Sequence, residues 1–264
     1  MHKIALIDSG VGGLSIYSAI QSTLPTSQFI YLADHLYAPY GDKEPHWVAN
    51  RTVQLANHIY ETHQPDCIVI ACNTASTLSL ALVRESLDVP IIGVVPAIKT
   101  AANLSESRKI GVLATPATIN GQYINQLIDQ FATHCHVTKL GNTQLVTMAE
   151  DKLSGMTVDL EDLKNLITPF IQAPCDQVVL GCTHFPLLRD ELESISPSIQ
   201  WVDSSNAIAN RCVEVLTAVS DKSPKNLNSQ ENSNQFYSTG SIRAPLKLNL
   251  AKLGFDSIQE SLLT

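Results

Sequence analysis

Short runs of β-branched and other apolar residues alternate with stretches of helical period along nearly the whole chain, and no other feature restricts its fold as much. "KIALID" (3–8) precedes a helical pattern near 12–23, and "FIYLAD" (29–34) precedes one near 46–63. "CIVIAC" (67–72) leads into "TASTLSLALVRESL", and "IIGVV" (91–95) into another helix. The cycle restarts with "KIGVLA" (109–114), a helix over 117–131, "HVTKL" (136–140) and helices near 143–153 and 159–172. It continues with "QVVLGC" (177–182), a helix near 186–195, and "IQWVD" (199–203) before a helix to about 219. Strands apolar on both faces that alternate with helices belong to parallel α/β sheets. At 264 residues the chain is long enough for one large domain or two modest ones.

The restart has the form of an internal repeat. The Lys-Ile starts at 3 and 109 stand 106 residues apart, and Cys72 and Cys182 stand 110 apart. Asp66 and Asp176 each precede their cysteine by six residues. Two similar half-units follow, each carrying one thiol at the carboxyl end of a strand, where α/β sheets bind ligands. The polar segment 220–235 lacks periodicity and is expected to be a mobile surface loop, with "FYSTGS" (236–241) returning as a final strand before a short helix.

Composition excludes several classes of function. The net charge is −8 with no long basic run, which argues against nucleic acid or an anionic membrane as the main partner. No apolar run approaches the length of a membrane span, and the N-terminus enters a strand pattern at once, unlike a signal peptide. The six cysteines (67, 72, 135, 175, 182, 212) lack CxxC spacing and read as free thiols in a reducing cytoplasm.

A thiol at a strand-to-helix junction lies near unpaired helix N–H groups, which favour thiolate and bind carboxylates. Two thiols facing one bound anion could remove a proton from carbon on one face and return one on the other. The motifs "IDSGVGG", "APYG", "ACNTAST", "GVLATPAT" and "LGCTHFPLL" occur in this chain. With them, it resembles the cofactor-independent aspartate/glutamate racemases from Ile4 to about Gly254, and their glutamate-acting members most closely. The resemblance implies two α/β domains related by pseudo-two-fold symmetry with the active site between them. The first would comprise 1–96 and 208–264, the second 97–207.

It further implies interconversion of L- and D-glutamate for peptidoglycan synthesis, with aspartate as the alternative substrate. No cofactor or metal is expected, and a homodimer is. Cys72 and Cys182 would be the acid/base pair, Cys72 taking the α-proton of D-glutamate and Cys182 that of L-glutamate. Asp8 and His184 would assist beside Cys72 and Cys182 respectively. Ser9, Tyr40, Gly41, Asn73, Thr74, Thr118 and Thr183, with Asp8 and His184, would hold the amino acid. Glu150 matches an accessory acid of the family. Some relatives carry an N-terminal extension tied to activation by a cell-wall precursor; this chain begins at the first strand, and the sequence leaves that regulation open.

Other readings compete. Taken singly, Cys72 is a small buried hydrophobe and Asp8 a helix cap; the mirrored motifs favour a site role for each, and likewise for His184. Cys67, Cys175 and Cys212 read as packing residues. "HCH" (134–136) could place two histidines on one strand face, but no third metal ligand stands near. "GVGGLS" nearly matches a dinucleotide fingerprint, with Asp34 where a ribose-binding acid would sit. Asp8 would repel a pyrophosphate there, and the two cysteines would be unexplained. A non-catalytic amino-acid sensor needs no matched acid and base.

Overall fold

The computed structural model describes residues 1–220 and 233–260. The first half contains β1 (Lys3–Asp8), α1 (Leu14–Thr23), β2 (Gln28–Ala33), α2 (Pro45–His63), β3 (Cys67–Ile70), α3 (Asn73–Ser86), β4 (Ile91–Gly93) and α4 (Ile98–Leu104). The second contains β5 (Lys109–Ala114), α5 (Pro116–Asn120), α6 (Gln122–Phe131), β6 (His136–Gly141), α7 (Gln144–Leu153), α8 (Leu160–Gln172), β7 (Gln177–Leu180), α9 (Arg189–Ile195) and β8 (Gln200–Val202). The chain then returns through α10 (Ser205–Ser220), β9 (Asn234–Ser238), α11 (Ala244–Lys252) and β10 (Phe255–Glu260).

Two sheets result, a six-stranded one in the order β10-β9-β2-β1-β3-β4 and a four-stranded one in the order β6-β5-β7-β8. Every strand pair is parallel. The strands β2-β1-β3-β4 of the first sheet repeat the connectivity of the second, and the repetition extends to single hydrogen bonds. Asp66 N–H donates to Lys3 O as Asp176 N–H does to Lys109 O, and Ala71 N–H to Ile7 O as Gly181 N–H to Leu113 O. Ala114 therefore occupies in the second half the place that Asp8 holds in the first, since Asn142 and Asp34 donate to their respective carbonyls. Each sheet is packed on both faces. β1 and β3 lie between one apolar cluster that includes Tyr17, Phe29 and Tyr31 and another around Ile30, Leu55 and Ile59.

Three local expectations are corrected. The helix read over 117–131 is two helices, because Gly121 adopts an extended backbone between them and glycine is a weak helix former. The helix near 186–195 begins as a 3₁₀ turn over Phe185–Leu188. The strand after α11, β10, was not read at all. It follows a helix end at Gly254, whose φ of +90° suits glycine, and it lies at the sheet edge, where polar residues such as Asp256 and Gln259 are tolerated. The loop expected over 220–235 falls largely on 221–232, outside the described residues.

Asp34, just beyond β2, is fully buried and ties four segments together. Arg51 of α2 grips it through Nε at 2.9 Å and Nη2 at 2.8 Å, Tyr40 donates its hydroxyl at 2.6 Å, and Thr239 beyond β9 donates at 2.9 Å. A buried carboxylate needs such a set to offset its lost hydration. Asp34→Ala removes the carboxylate that Arg51, Tyr40 and Thr239 share and is expected to cost about 3–5 kcal/mol of stability, read by urea unfolding. A loss below about 1 kcal/mol would show that the cluster is not the anchor described.

Candidate active site

The loops at the carboxyl ends of the two sheets meet, and nearly all the residues singled out in the sequence lie on them. Cys72 caps the N-terminus of α3 and is only 6% exposed; Cys182 follows β7 and is 7% exposed. The two thiols are near enough that Cys182 acts electrostatically on Cys72. Ser9 Oγ lies 3.8 Å from Cys72 Sγ, and His184 Nδ1 lies 3.9 Å from Cys182 Sγ. On its other side His184 Nε2 meets Glu150 Oε1 at 2.8 Å, and the same oxygen accepts Val11 N–H at 3.1 Å.

Asp8 is both a cap and a site residue. One oxygen, Oδ2, accepts Gly13 N–H at 2.7 Å where α1 begins. The other, Oδ1, is buried without a partner, as are Asn73 Nδ2 and Thr183 Oγ1. Three polar atoms left in this state on motif residues are what an amino-acid ligand would satisfy. Thr74 Oγ1 reaches Thr115 Oγ1 at 3.1 Å and Thr118 Oγ1 at 3.3 Å, so a cluster of hydroxyls bridges the two halves. Tyr40 stands apart from the others: its hydroxyl is committed to Asp34.

The glycine loop has a different purpose from the phosphate cradle it resembles. A Cβ at Gly12 would lie 2.7 Å from the His184 backbone nitrogen, and one at Gly10 would strike Glu150 Oε1. These glycines let the second half close onto the first. Gly41 similarly leaves room for Thr115, 2.7 Å from where its Cβ would be. Since Asp34 is sealed by Arg51, neither feature of the dinucleotide reading is available to a nucleotide.

The electrostatics overturn one expectation. Burial pushes the Cys72 thiol well above its ordinary range, and the Asp8 carboxylate adds to it; the Ala75 N–H at the helix start and the Ser9 hydroxyl pull the other way and lose. The helix N-terminus therefore does not by itself yield a thiolate. Cys182 has no α-helix N-terminus at all, since a 3₁₀ turn follows it, and His184 stands in that role. Burial opposes charge on His184, but contacts with Cys182 and Glu150 hold it well above the usual imidazole range. Burial likewise opposes charge on Glu150, yet His184 and His35 keep its carboxyl well below the usual range.

Sequence reading did not identify Thr115, Tyr31 or His35. Thr115 carries a legible signal, a threonine before proline that caps α5 by accepting Thr118 N–H at 3.4 Å. Tyr31, whose hydroxyl donates to Gly10 O at 3.0 Å with Asp8 Oδ2 at 3.3 Å, looks like any core strand residue. His35 lies 3.7 Å from Glu150 of α7, a contact between residues 115 apart that no local pattern reveals. Among the described residues no group of three His, Cys, Asp or Glu side chains is placed to hold a metal ion.

Known proteins resemble the chain over nearly its whole length. Residues 4–212 match the Asp/Glu/Hydantoin racemase family. A glutamate racemase of Shewanella loihica is 44% identical over 97% of this chain and 94% of its own length. The crystal structure of Escherichia coli glutamate racemase in complex with L-glutamate and an activator, UDP-MurNAc-ala, superposes with a TM-score of 0.91 at 38% identity, over 98% of this chain and 97% of that one. The RacE1 isoform of glutamate racemase from Bacillus anthracis gives 0.82 at 27% identity, over 99% and 98%.

The His184–Glu150 pair has a testable pH signature. The raised His184 value adds stability that is full below pH 6.5 and fades as pH rises through the folded value. The lowered Glu150 value adds stability that is full above pH 4.5 and fades on acidification. Glu150→Gln should therefore cost most between pH 4.5 and 6.5, about 1–3 kcal/mol, and progressively less on either side. Urea unfolding of both proteins at pH 5.5 and pH 9 measures this; an equal cost at both would contradict it.

Proposed function

The chain belongs to the Asp/Glu/hydantoin racemase family, and on that footing we propose that it interconverts L- and D-glutamate by proton transfer at the α-carbon between Cys72 and Cys182. The observation that carries this reading is the pair of buried thiols, one from each half of a repeated fold, on loops that meet where Gly12 lies against His184. Inversion at carbon needs a base on one face and an acid on the other, and two equivalent strand ends supply them.

The roles follow from the surroundings. For L-glutamate, Cys182 as thiolate takes the α-proton while the Cys72 thiol, kept protonated by burial and by Asp8, donates to the opposite face. The C–H bond breaks toward Cys182 Sγ, and the carbanion's electron pair forms the new C–H bond with the Cys72 proton. The reverse reaction exchanges the roles. His184, held charged by Glu150, steadies negative charge at Cys182. A substrate ammonium placed beside Asp8 would offset the charge that keeps Cys72 protonated, allowing it to act as base from the D side. The unpartnered atoms of Asp8, Asn73 and Thr183, with Ser9, Gly41, Thr74 and Thr118, form the amino-acid pocket. Tyr40 belongs to the same wall, with its hydroxyl turned to Asp34.

The relatives named above are glutamate racemases, so aspartate, one methylene shorter, has no support from them. The D-glutamate formed supplies peptidoglycan. No pyridoxal phosphate, metal or nucleotide has a part in this chemistry. No helix among the described residues is long and apolar enough to cross a membrane, and the six cysteines, all free, suit a reducing cytoplasm. We take the working form to be a homodimer and the domains to be 1–96 with 208–264, and 97–207, as the two sheets suggest.

Purified protein incubated with either glutamate enantiomer should relax to zero optical rotation, without pyridoxal absorbance and with activity unchanged by chelator. Inactivity toward glutamate would remove the assignment, and activity on aspartate alone would transfer it. Cys72→Ser and Cys182→Ser should each lose at least about 100-fold in racemisation. With a β-chloro analogue of glutamate, which eliminates chloride after α-proton removal, Cys72→Ser should retain activity on the L form and Cys182→Ser on the D form. A shared enantiomer preference would refute the two-base assignment.

A further inference from the structure

Glu150 stands between two imidazoles. Its Oε1 meets His184 Nε2 at 2.8 Å, while its Oε2 faces His35 Nε2 at 3.7 Å. His35 follows Asp34 at the end of β2, and its Nδ1 lies 2.9 Å from Ser238 Oγ at the end of β9. Ser238 Oγ also lies 2.8 Å from the Gly240 carbonyl oxygen and accepts Gly240 N–H at 3.3 Å.

The serine has one proton to give. Donated to Gly240, it obliges His35 Nδ1 to be the donor, so a neutral ring turns a lone pair toward Glu150 and only the imidazolium offers an N–H there. Donated to His35 Nδ1, it places the ring proton on Nε2, facing the carboxylate. With an N–H at Nε2, His35 draws on the same charge that holds His184.

We propose that His35 is a positioning residue for the Cys182 face, competing with His184 for the Glu150 carboxylate and so setting the pH range in which His184 supports proton transfer at Cys182. The role rests on the glutamate-racemising reading given above. Its surroundings are charged but already paired. A cavity lined by His35, Glu150, Asp151 and Arg243 reaches it, and within it Arg243 bonds Asp151 at 3.0 Å. Asp34, next in the chain, is bound by Arg51, and Tyr31 acts on Glu150 from β2. The Cys72 face is served instead by Ser9 and Asp8, so the effect of His35 is confined to one side of the substrate.

Two variants separate this from a structural role. His35→Asn keeps an amide near Ser238 and removes the atom facing Glu150; His35→Gln keeps an amide that reaches Glu150 and does not titrate. Elimination from the L and D forms of the β-chloro analogue is irreversible, so the two profiles are free to differ. In His35→Asn the alkaline limb of the L profile should move up by roughly half to one pH unit, the size of one hydrogen bond to the shared carboxylate, with the D profile unmoved. His35→Gln should hold the L limb closer to its wild-type position. In ¹⁵N-histidine NMR, the His184 ring should titrate at correspondingly higher pH in His35→Asn. Equal shifts for both enantiomers, or no shift of His184, would overturn the role. Wild-type inactivity on both forms would instead remove the glutamate reading, and the His184 titration would still decide whether His35 competes for Glu150.

Discussion

Gly12 lies against the backbone nitrogen and ring of His184, and Gly10 against the carboxylate of Glu150, with no room for a methyl group at either place. This contact between the first loop of one half and the thiol-bearing loop of the other is what allows two separate sheets to form one site. Val11 N–H bonds Glu150, Ser15 Oγ bonds Thr183 O at 3.1 Å, and Gly41 admits Thr115. A side chain at Gly12 would strike the His184 backbone, and one at Gly10 would displace the Glu150 carboxylate.

The repeat supplies two like positions, and substitution within it makes them unlike. The place of Asp8 is taken in the second half by Ala114, so a carboxylate stands by one thiol alone. The second thiol has His184 and Glu150 in its place. The anion beside Cys72 favours the protonated thiol, and the Glu150 carboxylate favours charge on His184. The two thiols thus stand in unlike local fields, although the strands that lead to them share the same register. Burial enlarges both effects, because few waters are present to screen them.

Much of this was legible along the chain. Apolar runs alternating with helical period gave the parallel sheets, since strands covered on both faces must be apolar throughout. The matched Lys, Asp and Cys spacings gave the repeat, because equal strand registers require equal spacing. Cys72, Cys182, Asp8 and His184 stood out because polar residues ending an apolar strand need a reason to be there. The short edge strand β10 and the break at Gly121 escaped because their signals are weak: mixed polarity in one, a single glycine in the other.

The sequence by itself determined which residues are chemically able to act and at which strand ends they lie, as backbone periodicity and motif spacing are local properties. Only the tertiary structure decided their electrostatic states and partners. Cys72 lies at a helix start, as expected, but the loss of water around it outweighs the helix N–H groups. Tyr40, with a hydroxyl suited to bind a ligand, is turned to Asp34 because that buried carboxylate requires donors. His35, unremarkable in the sequence, meets Glu150 only because α7 packs close to the end of β2. Solvation and long-range charge depend on what surrounds a group in three dimensions, and no spacing along the chain records that.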